Sequence, residues 1–129
     1  MSHFTTIQTQ IRDLEALSDA CVELDLQLLP NADCRGYAGT VRKAPHVIQL
    51  KGPYDIAVEP APENNGSYGL TTDWWAGHVA REVGDGYGRL LQTYGVHKTL
   101  REARGRGLRT TRRVEADGSI LLTLEGGAL

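Results

Sequence analysis

Three short apolar segments separated by tight turns occupy the middle of the chain and constrain its fold more than any other feature. Residues 46–51 and 54–59 flank a Gly52-Pro53 turn, and a third segment follows at 67–74. Connections this short cannot hold the crossover that parallel neighbouring strands require. The sequence therefore predicts an antiparallel meander at the centre of the fold.

Helices and further strands flank the meander. Apolar residues recur at spacings of three and four from Leu14 to Leu24, directly after Asp13, so we expect an amphipathic helix capped by this aspartate. A second helical region at 76–107 contains several glycines at 84–88, where we expect a break. The other predicted elements are strands at 3–10, 26–29 (ended by Pro30), 108–114 and 119–124, a resumed helix at 97–104, a loop over 31–45 in which 33–37 is either strand or loop, a loop at 60–66, an Asp117-Gly118 turn and a frayed tail at 126–129.

This order of elements predicts the fold class. Antiparallel strands with interspersed helices indicate an α+β fold, with two or three helices packed mainly on one face of the sheet in two layers. A chain of 129 residues fits a single domain spanning 1–129. We expect a cytoplasmic protein without membrane contact, because the sequence has no apolar run of spanning length and no signal pattern at its start.

Cysteine and histidine positions indicate no metal or redox chemistry. The spacing of Cys21 and Cys34 matches no zinc or disulfide-exchange motif, so both are predicted to be reduced and structural. No pair among the four histidines has a metal-ligand spacing. The sequence therefore predicts no metal, no cofactor and no catalytic residue, and favours a binding protein over an enzyme. An acid–base site built from Asp73, His78 and His97 remains an alternative.

One segment concentrates positive charge. Half of the 14 lysines and arginines lie at 98–113, beside one acid, Glu102. A basic stripe is typical of proteins that bind nucleic acid or phosphate-bearing ligands. The alternative is structural: these residues complement a helix dipole, protect an outer strand, or pair with the acidic first helix. The seven residues are Lys98, Arg101, Arg104, Arg106, Arg109, Arg112 and Arg113, of which all but Arg106 and Arg113 are candidate ligand contacts.

Aromatic residues form the second candidate surface. Trp74 and Trp75 end a predicted strand just before a helix, and adjacent strand residues point to opposite faces. We expect one tryptophan in the core and one at the rim, where it could anchor a protein partner or stack on a base. Tyr54 belongs to a neighbouring element and is included in this candidate set. Ordinary core packing is the alternative for all three.

Several motifs together resemble a known family. They are residues 1–13, Arg35-Gly36-Tyr37, Gly52-Pro53-Tyr54-Asp55-Ile56, Asp73-Trp74-Trp75 and Tyr94-Gly95-Val96-His97-Lys98. In this order they resemble an uncharacterised family of cyanobacteria and algal plastids, hypothetical chloroplast reading frame thirty-five (domain of unknown function twelve fifty-seven). The resemblance implies a cytoplasmic protein, or a stromal one in a plastid, and it carries over no activity. The leading hypothesis is an adaptor that acts through a protein partner. Nucleic-acid or nucleotide-phosphate binding through 98–113 is the second, and the sequence gives no oligomeric state.

Overall fold

The structure, a computed structural model, describes residues 3–61 and 66–126. Seven strands and three α-helices make up these ranges, with three short 3-10 turns between them. The elements are β1 (Phe4–Gln8), α1 (Leu14–Glu23), β2 (Gln27–Arg35), β3 (Val41–Gln49), β4 (Ile56–Pro60), β5 (Tyr68–Asp73), α2 (Ala80–Val83), α3 (Gly88–Gly105), β6 (Arg109–Val114) and β7 (Ile120–Glu125), and the turns are Tyr37–Gly39, Trp75–Gly77 and Asp85–Tyr87.

Strands β1 to β5 form one antiparallel sheet in the order β1-β5-β4-β3-β2. The predicted meander is its centre, because β3, β4 and β5 pair in sequence. Strands β1 and β2 lie at opposite edges, so the connection through α1 crosses the sheet. The predicted α+β class is confirmed. The loop predicted at 60–66 and the tail predicted at 126–129 lie largely outside the described residues.

The main core lies between the helices and one face of the sheet. Leu17 of α1, Leu90 of α3 and Ile56, Val58 and Leu70 of the sheet are fully buried there. The predicted N-cap of α1 is confirmed, since Asp13 Oδ1 accepts hydrogen bonds from the amides of Glu15 and Ala16 at 3.0 and 3.1 Å. Capping satisfies amides that have no partner inside the helix.

The predicted break in the second helical region is confirmed and is made by glycine geometry. Gly84 ends α2 with φ 85° and ψ 162°, a conformation that is essentially restricted to glycine. Gly86 follows in the left-handed region at φ 58°. The helix resumes at Gly88 rather than at 97 as predicted, because Gly88 already has right-handed helical angles.

The β2–β3 hairpin corrects two predictions. Strand β2 continues through Pro30 to Arg35, and β3 begins at Val41, so most of the loop predicted at 31–45 is strand. Pro30 does not end β2 because this is an edge strand, where a missing amide can face outward without breaking the ladder.

The closed end of this hairpin folds back over the sheet. Arg35 pairs with Val41 at the closed end, yet its backbone carbonyl accepts a hydrogen bond from Asp55, which lies beyond the opposite end of β3. Asn31, in the left-handed region at φ 45°, lies within β2 where the strand changes course. A second buried cluster of Cys34, Ala44, Val47 and Ala57 fills the space beneath. The hairpin therefore covers part of the face that the helices leave open.

Strands β6 and β7 form a separate two-stranded sheet next to α3. The predicted strands and their Asp117-Gly118 turn are confirmed, with Gly118 at φ 89°. In the described ranges, no helix combines the length and the apolar character needed to cross a membrane.

Candidate binding surface

Three of the sequence motifs meet at one end of the five-stranded sheet. Arg35 ends β2, Asp55 immediately precedes β4, and Asp73 ends β5. Folding back of the β2–β3 hairpin brings Arg35 to Asp55, and Phe4 of β1 packs on Gly36, the residue after Arg35. A Cβ added to Gly36 would lie 2.6 Å from the Phe4 ring, so any larger residue there would displace this ring.

An ion pair with a buried aspartate joins the first two motifs. The Asp55 side chain is 2% exposed, and its carboxylate accepts hydrogen bonds from Arg35 Nε at 2.8 Å and Arg35 Nη2 at 2.7 Å. It also accepts from the backbone amides of Arg35 and Leu50, both at 3.0 Å. Arg35 Nη2 donates further to the carbonyls of Leu50 and Gly52. The hydrogen bond to Asp55 raises the pKa of Arg35, opposed by desolvation. Such a satisfied network fixes the backbone around it.

Two exposed aromatic rings extend from this network. Tyr37 and Trp75 are 45% and 46% exposed, and their rings meet edge to face with centroids 5.7 Å apart. Asp73 Oδ1 accepts a hydrogen bond from the Trp75 amide at 2.9 Å. The residue after each ring, Ala38 or Ala76, has positive φ, at 55° and 58°. Left-handed backbone at a residue other than glycine is costly and concentrates at functional positions.

The remaining aromatic candidates lie deeper. Trp74 is half-buried, and its ring meets Tyr87 with centroids 4.7 Å apart. Tyr54 is 6% exposed and packs edge to face against His78 at 5.1 Å. The structure therefore places Trp75 at the surface, Trp74 beneath it and Tyr54 in the core. The sequence candidates did not include Tyr37, although its Arg35-Gly36-Tyr37 motif was available as a signal.

A carboxylate on α2 fixes the turn between β3 and β4. Glu82 accepts hydrogen bonds from the amides of Lys51 at 2.7 Å and Gly52 at 3.0 Å. These bonds tie the Gly52-Pro53 turn to the helix that follows Trp75. Carboxylates thus bond the backbone at Arg35, two residues before Tyr37, and at Trp75 itself. We call the surface formed by Tyr37 and Trp75 the aromatic surface.

The basic segment pairs mostly with acids, above all with the acidic face of α1. Arg104 and Arg106 are exposed and have no ion pair among the described residues. Neutralisation of this kind lowers the local positive potential that a polyanion would meet. The observed pairs are Lys98 with Asp13 (3.6 Å) and Glu102 (3.3 Å), Arg101 with Glu15 (2.7 Å) and Asp19 (2.6 Å), Arg109 with Glu125 (3.1 Å), Arg112 with Glu23 (2.7 Å) and Arg113 with Glu115 (3.0 Å).

The groups of the alternative enzyme site have separate partners. His97 Nε2 lies 2.8 Å from Glu23 on α1, whereas His78 packs on Tyr54 and Asp73 bonds the Trp75 amide. Within 3–61 and 66–126, no group of three histidine, cysteine or acidic residues could hold a metal ion.

Both cysteines are free and buried, as predicted. Desolvation raises the pKa of Cys21 to about 12, and burial is also the first cause that raises the pKa of Cys34 to about 12. Thiols are nucleophilic as thiolates, and these two are protonated near neutral pH. Neither is therefore suited to nucleophilic catalysis.

Comparison with known proteins places this architecture in a family. A family model described as a protein of unknown function, DUF1257, matches residues 20–123. The chain belongs to the DUF1257 family. The DUF1257 match includes the motifs that carry Arg35, Asp55 and Trp75, and it begins within α1, after the Asp13 cap. No curated protein and no solved structure matches the chain.

The pairing of Arg112 with Glu23 in this DUF1257 chain predicts a pH-dependent contribution to stability. The Arg112 hydrogen bond, helped by His97, lowers the pKa of Glu23 from 4.5 to about 2. A carboxyl group whose pKa is lower in the folded chain than in the unfolded chain stabilises the fold at pH values above the unfolded pKa. This stabilisation is lost as the pH falls toward the folded pKa of about 2.

We expect Arg112→Gln to lower the free energy of unfolding at pH 6 by about 0.5–1 kcal/mol, because the pair is partly solvent-screened. The difference from the parent chain should shrink between pH 4.5 and 2. Urea unfolding across this range measures it, and an NMR titration should show the pKa of Glu23 rising in the variant. A stability difference that stays constant down to pH 2 would contradict the pairing.

Proposed function

We propose that the chain is a non-catalytic binding protein that captures a protein partner through the aromatic surface. The observation that carries the proposal is the pair of half-exposed rings of Tyr37 and Trp75, which pack edge to face with their centroids 5.7 Å apart. Tryptophan and tyrosine are the residues most enriched at the energetic centres of protein interfaces. The proposal takes the cytoplasm as the site of action, or the stroma if the protein is made in a plastid.

Hydrogen bonds that fix the backbone close to the two rings support this proposal. Arg35, which Asp55 holds, lies two residues before Tyr37 in the chain, and the Asp73 carboxylate accepts a hydrogen bond from the Trp75 amide at 2.9 Å. Rings that are already ordered lose little conformational entropy when a partner binds. Strained backbone at Ala38 and Ala76 agrees with positions shaped for a role other than stability.

The other two predicted functions receive less support. Five of the seven basic side chains at 98–113 already pair with acids, which weakens the case for nucleic acid or a nucleotide phosphate as ligand. An acid–base enzyme would need Asp73, His78 and His97 to act on one substrate, and each has a different structural contact. Binding through the aromatic surface needs only Tyr37 and Trp75, which are already in contact.

Trp75→Ala is expected to weaken partner binding about 30-fold or more, since loss of an interface anchor costs about 2 kcal/mol or more. The matched control is Val22→Ala, which truncates an exposed apolar residue on α1. Tagged parent, Trp75→Ala and Val22→Ala chains would be used to capture proteins from a lysate of the source cell. Any protein that the parent and control retain would be purified and its affinity for all three chains measured by calorimetry.

Circular dichroism and thermal melting should show the same fold in all three chains. A partner that binds Trp75→Ala as tightly as the parent would refute the aromatic surface as its site. Nucleic acid retained at low salt and lost at high salt would instead favour the basic segment, because phosphate contacts depend steeply on salt.

A further inference from the structure

The outer edge of β7 is an unpaired strand with an unusual composition. Among the described residues, β7 pairs with β6 alone, in a sheet of two strands. Its sequence, Ile-Leu-Leu-Thr-Leu-Glu, has one charge, at the last position. Leu121 and Leu124 are 43% and 45% exposed. Two strands alone are marginally stable in water, and an apolar open edge is a template for further pairing.

The two edges of this small sheet differ in charge. Strand β6 carries Arg109, Arg112 and Arg113 along its six residues. Charged side chains on an edge strand discourage the approach of another strand. The β7 edge has no such protection before Glu125, so the open side of the sheet is β7.

Hydrogen bonding within the hairpin shows which backbone groups of β7 point outward. The Glu115 amide donates to the Ser119 carbonyl at 2.8 Å. Residue pairs in an antiparallel ladder alternate between bonded and non-bonded. With Val114 opposite Ile120 and Arg112 opposite Leu122, the odd-numbered residues of β7 bond to β6. The amides and carbonyls of Ile120, Leu122 and Leu124 therefore face the outer edge.

We propose that a second copy of this chain pairs with β7 in antiparallel register about a twofold axis at Leu122. In this register Leu122 lies opposite its own counterpart, and Ile120 lies opposite Leu124 of the other copy. The three residues whose backbone groups face outward all bond across the axis. Their side chains, all aliphatic, share one face of the resulting four-stranded sheet.

The register is self-complementary because of this sequence. A twofold axis perpendicular to the sheet keeps each side chain on its own face, so even-numbered residues meet even-numbered ones. Centring on Thr123 instead would bond Leu122 to Leu124 of the other copy, but it would place the aliphatic Leu121 opposite the charged Glu125. Side-chain pairing therefore favours the register centred on Leu122, and the aromatic surface plays no part in it.

Charged substitutions at two residues that face each other across the twofold axis test the register. Analytical ultracentrifugation of the parent chain should show a concentration-dependent dimer. Leu124→Glu and Ile120→Arg should each raise the dissociation constant about 100-fold or more, because each change places a charge against an aliphatic residue twice per dimer. The double variant should return to within about tenfold of the parent, since the introduced charges then face each other between copies. The same two positions are about 13 Å apart within one strand, too far for an ion pair.

Disulfide trapping gives an independent test that needs no charged variant. Leu122→Cys places two thiols across the axis, where facing Cα atoms are about 5.5 Å apart, within disulfide range. The control is Thr111→Cys on β6, which is exposed but at least about 14 Å from its counterpart across three strand spacings. Cys21 and Cys34 are buried and should not interfere.

A covalent dimer from Leu122→Cys but not from Thr111→Cys, together with rescue by the double variant, supports the proposal. A parent chain that sediments as a monomer at all concentrations up to about 1 mM and a Leu122→Cys chain that forms no dimer overturn it. A dimer that survives both single charge variants also overturns it, because the interface would then lie elsewhere.

Discussion

Asp55→Ala is expected to lower the free energy of unfolding by about 3 kcal/mol. The carboxylate is 2% exposed and accepts four hydrogen bonds, three from Arg35 and one from the Leu50 amide. Removing it takes one acceptor from the Arg35 guanidinium and the acceptor from the amides of Arg35 and Leu50. Breaking a fully buried pair typically costs about 3–5 kcal/mol. We expect the lower end because the Arg35 side chain is 43% exposed and can recruit water.

Urea unfolding followed by tryptophan fluorescence measures this loss. The matched control is Asp33→Ala, which removes an aspartate that is 63% exposed and 3.9 Å from Lys43, and it should cost less than about 0.5 kcal/mol. Equal losses in the two variants would show that the Arg35–Asp55 network does not hold the folded-back hairpin.

Gly84→Ala is expected to destabilise the fold by about 3 kcal/mol. Gly84 lies at φ 85° and ψ 162°, and alanine in such a conformation costs roughly 1–3 kcal/mol in backbone strain. An added Cβ would also lie 2.8 Å from the Arg89 amide nitrogen at the start of α3. Relief of this clash requires movement of the helix backbone, so the two costs should add in part.

Gly95→Ala provides a control of opposite sign. Gly95 lies exposed within α3, and nothing is within 4 Å of its added Cβ. Alanine there should stabilise the chain by about 0.5–1 kcal/mol, because glycine is the poorer residue in a helix interior. Thermal melts of both variants give the comparison. If the two substitutions shift stability in the same direction, the proposed glycine requirement at 84 is wrong.

Local signals in the sequence were sufficient for much of the fold. The meander around Gly52-Pro53, the cap at Asp13, the break at Gly84 and the turn at Asp117-Gly118 are each decided by a few neighbouring residues. Turn chemistry and capping act over short distances, so their patterns can be interpreted without the rest of the chain.

The folded-back hairpin could not be predicted in this way. Its segment contains glycines, prolines and polar residues that favour a loop, and its strands are fixed by contacts with distant residues. Arg35 and Asp55 are twenty residues apart, and no local pattern links them. Tertiary contacts of this kind override local preference.

The candidate surfaces also combined features that neighbouring residues decide with features that distant contacts decide. The sequence located the charge at 98–113 but left open whether it faces solvent or the acids of α1. Arg101 reaches Glu15 and Asp19 across 82 or more residues, which only the packing of α1 on α3 determines. Likewise, one exposed tryptophan was expected, whereas its contact with Tyr37 follows from the folded-back hairpin.

Placing β1 at the edge next to β5 has a consequence for the order in which the chain folds. Its register joins Phe4 to Asp73 and Gln8 to Gly69, so every pairing closes a loop of more than sixty residues. Loop closure of this length must be completed before the pairing stabilises anything, and such contacts form slowly. During translation, β1 leaves the ribosome well before β5 exists. The sheet can therefore nucleate on the β3–β4–β5 meander, while the strand synthesised first is the one that must wait for its partner.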